Sequence, residues 1–187
     1  IFNKSVQLLA YADDIDIICR SERAVRETFS KLEKEAKKMG LIINENKTKY
    51  LQTNEDTKEK YIIIDNNYKF EKVKQFKYLG TIITNDNNMT REINTRIKMA
   101  NKCYYGLKKQ FQSRFLGIKT KCKLYKTLVR PILSYGSESW TLIKENTDRL
   151  MIFERKVLRK IYGPVNDRGI WELEIIMKFT TFIKSQT

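Results

Sequence analysis

The chain has 187 residues, of which 41% are hydrophobic and 32% are charged, enough for one domain with a core or for two small domains. It contains no histidine, which excludes catalytic triads that use histidine, zinc catalysis with histidine ligands and haem held by histidine. No stretch approaches the roughly 18 apolar residues that a membrane-spanning helix needs.

The three cysteines, Cys19, Cys103 and Cys122, are an odd number without CxxC spacing, which argues against a disulfide framework or a zinc knuckle. We therefore expect reduced thiols and a nuclear or cytoplasmic protein that is not secreted. Because the first residue is Ile1 and not methionine, we also expect the chain to be a piece of a longer protein.

The net charge of +15 is concentrated in one part of the chain. Residues 1–90 carry 16 basic and 14 acidic groups, residues 91–163 carry 18 and 5, and residues 164–187 carry 3 and 3. A block at 18 − 5 = +13 repels itself unless it meets a polyanion, and nucleic acid is the favoured partner. An acidic membrane surface and an ordinary basic surface are the alternatives.

A hairpin and a helix are predicted at the start of the chain. Residues 6–12 and 15–19 have the apolar composition of strands, and the two aspartates between them are a turn signal. Ser21 suits the N-cap of a helix whose apolar residues recur every three or four positions, and Gly40 suits its end. The next predicted elements are a short strand (41–44), a polar turn (44–47), a strand (48–52), a surface loop (53–60), a hairpin (61–70), an extended stretch with a glycine bend (76–83) and a linker (85–88).

From Met89 the pattern becomes helical and basic. One face of the first predicted helix is apolar, with Ile93, Ile97, Ala100, Tyr104, Leu107 and Phe111. Basic side chains are expected to face outward between them: Arg96, Lys98, Lys102, Lys108 and Lys109. A second helix is expected from Ile118 to a stop or kink at Pro131, and a third over residues 147–161. The predicted fold class is α+β, with a small helical bundle following the sheet region.

The adjacent carboxylates of Asp13 and Asp14 are the clearest sign of chemistry. Two like charges at close range raise each other's pKa, and a divalent cation removes that cost. Magnesium is bound by one or two carboxylates together with substrate phosphates, as in nucleotidyl transfer. An ordinary hairpin with an Asp-Asp turn would have the same residues, so the pair needs support from its context.

The sequence Tyr11-Ala12-Asp13-Asp14 resembles the YxDD motif of reverse transcriptases, specifically those of non-LTR (LINE-type) retrotransposons. Four further motifs follow in order, so the resemblance spans residues 6–163. Residues 40–48 (GLIINENKT) resemble the next palm motif, G-L-x-x-N-x-x-K-T, and residues 76–80 (FKYLG) resemble the primer grip. Residues 128–142 and 153–163 resemble the thumb of non-LTR elements.

The resemblance implies a partial polymerase palm (1–85), in which an antiparallel sheet carries a helix, then a basic helical thumb (86–163) and an unassigned tail (164–187). It implies RNA-directed DNA synthesis, in which a primer 3′-hydroxyl attacks the α-phosphate of a dNTP with the help of two Mg²⁺ ions. The partners would be an RNA template and a DNA primer. Asp13 and Asp14 would be catalytic metal ligands, and Lys47 would protonate or neutralise the leaving pyrophosphate.

Nucleic-acid contacts are also implied. Phe76, Lys77, Tyr78 and Gly80 would hold the primer, and the stripe of Arg96, Lys98, Lys102, Lys108 and Lys109 suits contacts to a phosphate backbone. Each has a structural alternative: Lys47 as a solvated lysine, the two aromatics as core residues, Gly80 as a plain bend, and the stripe as a solvated face. Trp140 is favoured as a packing anchor over a base-stacking platform.

The family places the fingers and a further metal-binding aspartate upstream of YxDD, and only 10 residues precede Tyr11. Asp16 follows Asp14 by two residues and is expected to point away from it. We therefore expect the chain not to polymerise by itself. A non-catalytic nucleic-acid-binding remnant and an inert retroelement gene fragment are the alternative functions.

Overall fold

The structure, a computed structural model, describes residues 6–53, 60–65 and 67–163. Most of the predicted loop at 53–60 and the tail at 164–187 lie outside these residues. The predicted α+β class is confirmed, since strands fill the first part and helices the second. The chain divides into a first unit, Ile1–Asn87, and a second unit, Asn88–Thr187.

The first unit is built from short strands and one long helix. Its elements are β1 (Val6–Tyr11), β2 (Asp14–Cys19), α1 (Glu22–Lys38), β3 (Lys49–Tyr50), β4 (Tyr61–Ile64), β5 (Tyr68–Lys72), β6 (Gln75–Tyr78) and β7 (Thr81–Thr84). The described strands form two two-stranded hairpins, β1–β2 and β6–β7, and one sheet of order β3-β5-β4. In that sheet β4 is antiparallel to β5 and β3 is parallel to it.

Helix α1 begins and ends where its sequence predicts. The Ala24 N–H donates to Ser21 Oγ at 3.3 Å, which satisfies one of the unpaired N–H groups at the helix start. At the other end Gly40 has a φ of +72°, and the Leu41 N–H donates back to the Ala36 carbonyl at 2.9 Å. This is the Schellman pattern, and the positive φ explains why glycine stands there.

One small core holds most of the first unit together. It consists of Phe29 from α1 with Ile62, Ile64 and Phe70 from β4 and β5, and Ile17, Ile43, Tyr50 and Tyr68 pack against it. Phe29 meets Phe70 edge-to-face with ring centroids 5.1 Å apart, the arrangement that aromatic quadrupoles favour. Strand β2, helix α1 and the segment after the helix thus share one apolar centre.

Two predicted strands of the first unit differ from the structure. Residues 41–44 form no strand, because Leu41 and Ile42 are exposed and only Ile43 reaches the core. The extended stretch at 76–83 is a tight hairpin, since Leu79 and Gly80 both have positive φ, +45° and +87°. Two successive positive φ values are the pattern of a type I′ turn, which reverses the chain within two residues.

The second unit is a helical bundle. Its helices are α2 (Thr90–Gly106), α3 (Lys108–Gln112), α4 (Ile118–Leu124), α5 (Arg130–Leu133) and α6 (Lys144–Tyr162), with a π-helical segment at Tyr125–Val129 and a 3₁₀ turn at Ser137–Ser139. The predicted first helix is interrupted at Leu107. The core contains residues from every helix except α4, whose Cys122 and Leu124 pack against it.

Pro131 does not end its helix. It lies inside α5, directly after the π-helical segment, and the helix continues to Leu133. A proline has no N–H and its ring crowds the preceding turn, so a regular α-helical turn would be strained there. The wider π turn accommodates it, as π bulges inside helices do.

Candidate active site

The hairpin at the start of the first unit places two carboxylates at its tip. Strands β1 and β2 pair in register from Val6 with Cys19 to Tyr11 with Asp14, so Ala12 and Asp13 form a two-residue loop. Ala12 has a φ of +53°, a conformation that costs free energy for any residue except glycine. A positive φ at the first loop residue alone is the type II′ pattern. Asp13 and Asp14 are consequently adjacent and exposed to solvent.

The two carboxylates fit a partial magnesium site. Within the part of the chain that the structure describes, neither Asp13 nor Asp14 has a side-chain hydrogen bond or an ion pair, so both remain available as ligands. Oxygen ligands from one or two carboxylates are what Mg²⁺ takes when substrate phosphates complete its shell. Among the described residues no group of three His, Cys, Asp or Glu side chains could hold a metal ion. The pair thus suits a site that needs ligands from another source.

Asp16 lies on the same strand face as Asp14, so the prediction that it points away is wrong. Alternate residues of a strand share a face, and the two lie at positions 14 and 16 of β2. Burial raises the pKa of the Asp16 carboxyl, although a hydrogen bond from the Ile17 backbone opposes this effect. The strand rise of about 3.3 Å per residue separates the Cα atoms of Asp14 and Asp16 by roughly 6–7 Å.

Lys47 lies in a turn at the position where the sequence predicts one, residues 44–47. The Asn44 side-chain oxygen accepts hydrogen bonds from the Asn46 and Lys47 N–H groups at 3.1 and 3.2 Å. The Thr48 hydroxyl and N–H both donate to the Asn44 carbonyl, at 2.9 and 3.0 Å. Asn44 and Thr48 therefore fix the backbone while the Lys47 side chain remains exposed. The N-x-x-K-T spacing was the available signal.

The β6 strand separates its aromatics from its lysine. Phe76 and Tyr78 are half-buried with ring centroids 6.4 Å apart, and Lys77 between them is exposed. This alternation follows from the two-residue period of a strand. Gly80 lies in the I′ turn that joins β6 to β7, where its φ of +87° suits glycine.

Two of the predicted site segments each contribute one residue that packs against the core around Phe29, and the third contributes none. Ile17 anchors the hairpin of Asp13 and Asp14, and Ile43 anchors the Lys47 turn, on the core around Phe29. Phe76 and Tyr78 do not belong to that core. Ile17 of β2 and Ile43, which precedes the Lys47 turn, thus pack against the same apolar core.

Four of the five predicted basic residues of the second unit face solvent. Lys98, Lys102, Lys108 and Lys109 are exposed. Arg96 is only 5% exposed, so the prediction that it faces outward is wrong. It forms an ion pair with Glu92, which is also buried, and its guanidinium lies 4.5 Å from the centre of the Tyr135 ring. An acidic partner one turn earlier draws Arg96 into the bundle.

Trp140 lies in the core of the second unit. It is 9% exposed and belongs to the apolar cluster of the bundle, as expected for a packing anchor. Its indole N–H has no hydrogen-bond partner among the described residues. All three cysteines are free, and none of the helices in the described ranges is long and apolar enough to cross a membrane.

Comparisons with known proteins find a family match over the first part of the chain and a transposon-derived relative. Residues 1–83 match the family described as reverse transcriptase (RNA-dependent DNA polymerase). A transposon-derived protein of Caenorhabditis elegans is 29% identical over 157 residues, which are 83% of this chain and 56% of that protein. The chain thus spans little more than half the length of this relative. No solved structure matches the chain. Its first 83 residues are reverse transcriptase-like in sequence.

Proposed function

We propose that this chain is part of an RNA-directed DNA polymerase of the non-LTR (LINE-type) retrotransposon class. Residues 1–85 would be a partial palm and residues 86–163 a thumb. The reaction would join a dNTP to a primer 3′-hydroxyl on an RNA template. The observation that carries the proposal is the hairpin whose tip presents Asp13 and Asp14 inside the segment that matches reverse transcriptases.

The proposed roles of residues in the first unit are metal binding, neutralisation of the pyrophosphate and contact with the primer. Asp13 and Asp14 would hold Mg²⁺, which when bound lowers the pKa of the attacking hydroxyl and supports the leaving pyrophosphate. The Lys47 ammonium, on a turn fixed by Asn44, would protonate the leaving pyrophosphate or neutralise its charge. Lys77 is exposed beside two aromatics and would contact the primer backbone, with Phe76, Tyr78 and Gly80 shaping its strand and turn.

The second unit would hold the nucleic acid without reading its sequence. Its exposed lysines (Lys98, Lys102, Lys108 and Lys109) suit contacts to phosphate oxygens, which position a duplex and carry no base information. Arg96 would support this surface from within through its pair with Glu92. We expect such a protein to be nuclear or cytoplasmic.

We infer that the chain by itself does not polymerise. The proposed chemistry uses a third carboxylate, and the described residues contain no group of three metal-binding side chains. Primer extension on an RNA template with the purified 187-residue chain should therefore give no product. Incorporation of dNTPs that Asp13→Asn abolishes would overturn this inference while supporting the polymerase assignment.

Metal binding tests the site without requiring turnover. Mn²⁺, a paramagnetic substitute for Mg²⁺, should broaden the backbone NMR signals around Asp13 and Asp14 first, and Asp13→Asn should remove the effect. Asp65→Asn is the control, since Asp65 is a single exposed carboxylate in the β4–β5 turn with a φ of +52°, where it accepts a hydrogen bond from the Ser30 hydroxyl. Equal broadening at Asp65 and at the acidic pair would contradict the proposed site.

A non-catalytic nucleic-acid-binding protein is the second candidate, favoured by the +13 charge of residues 91–163. Binding to an RNA–DNA hybrid should then weaken steeply with salt and be the same for wild type and Asp13→Asn, with no selective Mn²⁺ effect at the hairpin. An inert fragment would bind neither the hybrid at low salt nor the metal.

A further inference from the structure

Phe115 is a large apolar side chain that none of the described residues covers. It is 100% exposed, in the five-residue connection between α3 and α4, whereas Phe111 four residues earlier is 1% exposed and belongs to the core. A fully exposed phenylalanine gains nothing from packing in the second unit. Single exposed apolar residues are common on protein surfaces, so the meaning of Phe115 depends on the residues around it.

The backbone around Phe115 is held in a defined shape. The Phe115 N–H donates to the Ser113 hydroxyl at 3.2 Å, and the Ser113 N–H donates to the Gln110 carbonyl at 3.3 Å. Gly117, in an extended conformation, is the N-cap residue before α4. The connection is a hydrogen-bonded turn that ties the loop to the end of α3, and the ring of Phe115 is presented from it to solvent.

The sequence on both sides of Phe115 carries only positive charge. Residues 93–137 contain 11 lysines and arginines and no aspartate or glutamate. Those next to Phe115 in the sequence are exposed: Lys108, Lys109, Arg114, Lys119 and Lys123. Such a run has no acidic residue of its own to pair with, and it attracts a polyanion.

We propose that Phe115 is a base-stacking contact for single-stranded nucleic acid, flanked by lysines and arginines that hold the phosphates. An exposed aromatic face inside a basic surface is the combination by which proteins bind single strands without sequence preference, because every base has a π face. The inference rests on the proposed nucleic-acid function. It adds to that function a specific contact residue, Phe115, and a preference for single-stranded over double-stranded nucleic acid. Phe115 acts here on unpaired bases, while the lysines act on phosphates of any strand.

The test compares a short labelled oligothymidylate with an abasic strand of the same length. Phe115→Ala should weaken binding to oligothymidylate about tenfold and leave binding to the abasic strand unchanged. Phe115→Trp should restore the affinity. Lys119→Gln should weaken binding to both strands and reduce the salt dependence of both, because it removes one phosphate contact.

Ile152→Ala is the matched control for loss of an exposed apolar side chain, since Ile152 is 61% exposed on α6. It should change neither affinity. Equal affinity of wild type and Phe115→Ala for oligothymidylate would overturn the stacking proposal alone, because binding itself would persist. Binding to neither strand at low salt would instead overturn the proposed nucleic-acid function. Affinity for phosphatidylserine vesicles that depends on Phe115, without discrimination between the strands, would assign the residue to a membrane surface and overturn the proposal.

Discussion

The Tyr125 hydroxyl donates a hydrogen bond of 2.6 Å to the Glu154 carboxylate inside the helical bundle. Tyr125 is 1% and Glu154 7% exposed, and they come from the π-helical segment and from α6. Burial raises the pKa of Glu154, while the Tyr125 hydroxyl and the charge of Arg130 oppose the rise. The hydrogen bond thus offsets part of the cost of burying a carboxylate.

Tyr125→Phe should lower the free energy of unfolding by about 1–3 kcal/mol at neutral pH. Loss of the hydroxyl removes an interaction that favours the Glu154 carboxylate, so the folded-state pKa of Glu154 rises further. The loss should therefore be largest above that pKa, where the carboxylate is charged, and shrink below the ordinary value of 4.5. Urea unfolding at neutral and at acidic pH measures the loss of stability and its dependence on pH.

Tyr104→Phe is the control for the Tyr125 experiment. Tyr104 is also buried, at 4% exposure, and its hydroxyl makes no hydrogen bond with the described residues. Its replacement should cost little at either pH. A loss in Tyr125→Phe that is the same at both pH values would contradict the proposed role of the hydroxyl.

Asp16→Asn should stabilise the first unit at neutral pH. Burial raises the pKa of Asp16 above its ordinary value of 3.8, so the wild type carries a stabilising contribution below that value and loses it as the pH rises. The asparagine avoids the desolvation of a charge, and because Asp16 is only half-buried the gain should stay under about 1 kcal/mol. Denaturant unfolding followed by a hairpin NMR signal should show the difference near pH 7 and none near pH 3. A variant that is less stable at pH 7 would contradict the assignment of burial as the main cause.

The same substitution to methionine should lower the stability of the protein at Arg96 and weaken the salt dependence of nucleic-acid binding at Lys98. Arg96→Met removes the ion pair with the buried Glu92 carboxylate and should destabilise the second unit by about 3–5 kcal/mol. Lys98→Met removes an exposed charge and should leave stability within about 0.5 kcal/mol while reducing the salt dependence of nucleic-acid binding. Thermal unfolding and a salt titration with an RNA–DNA hybrid separate the two effects. An Arg96→Met protein of unchanged stability would show that the pair is not structural.

The elements that depend on local sequence were predictable. Ser21 and Gly40 delimit α1 because capping and a positive φ are decided within a few residues. The hairpin with Asp13 and Asp14 at its tip follows from two apolar runs around an acidic turn. Trp140 was expected in the core and lies there, because burying a large aromatic ring is favourable where amphipathic helices pack together.

The elements that depend on distant partners were not predictable. Residues 41–44 have strand composition but form no strand, and only Ile43 reaches the core around Phe29. Arg96 has the spacing of a surface residue, and Glu92 with the Tyr135 ring makes its burial possible. Pro131 was expected to end or kink its helix, and the helix continues past it because a π turn precedes it.

By itself the sequence determined the acidic hairpin, the lysine turn motif and the concentration of charge in residues 91–163, because each of these depends only on residues that are close together in the chain. Only the tertiary structure decided which charges are buried and which face solvent. In the structure Arg96 and Glu154 are buried in the bundle and Phe115 is exposed. Burial depends on which side chains from distant parts of the sequence pack around a residue.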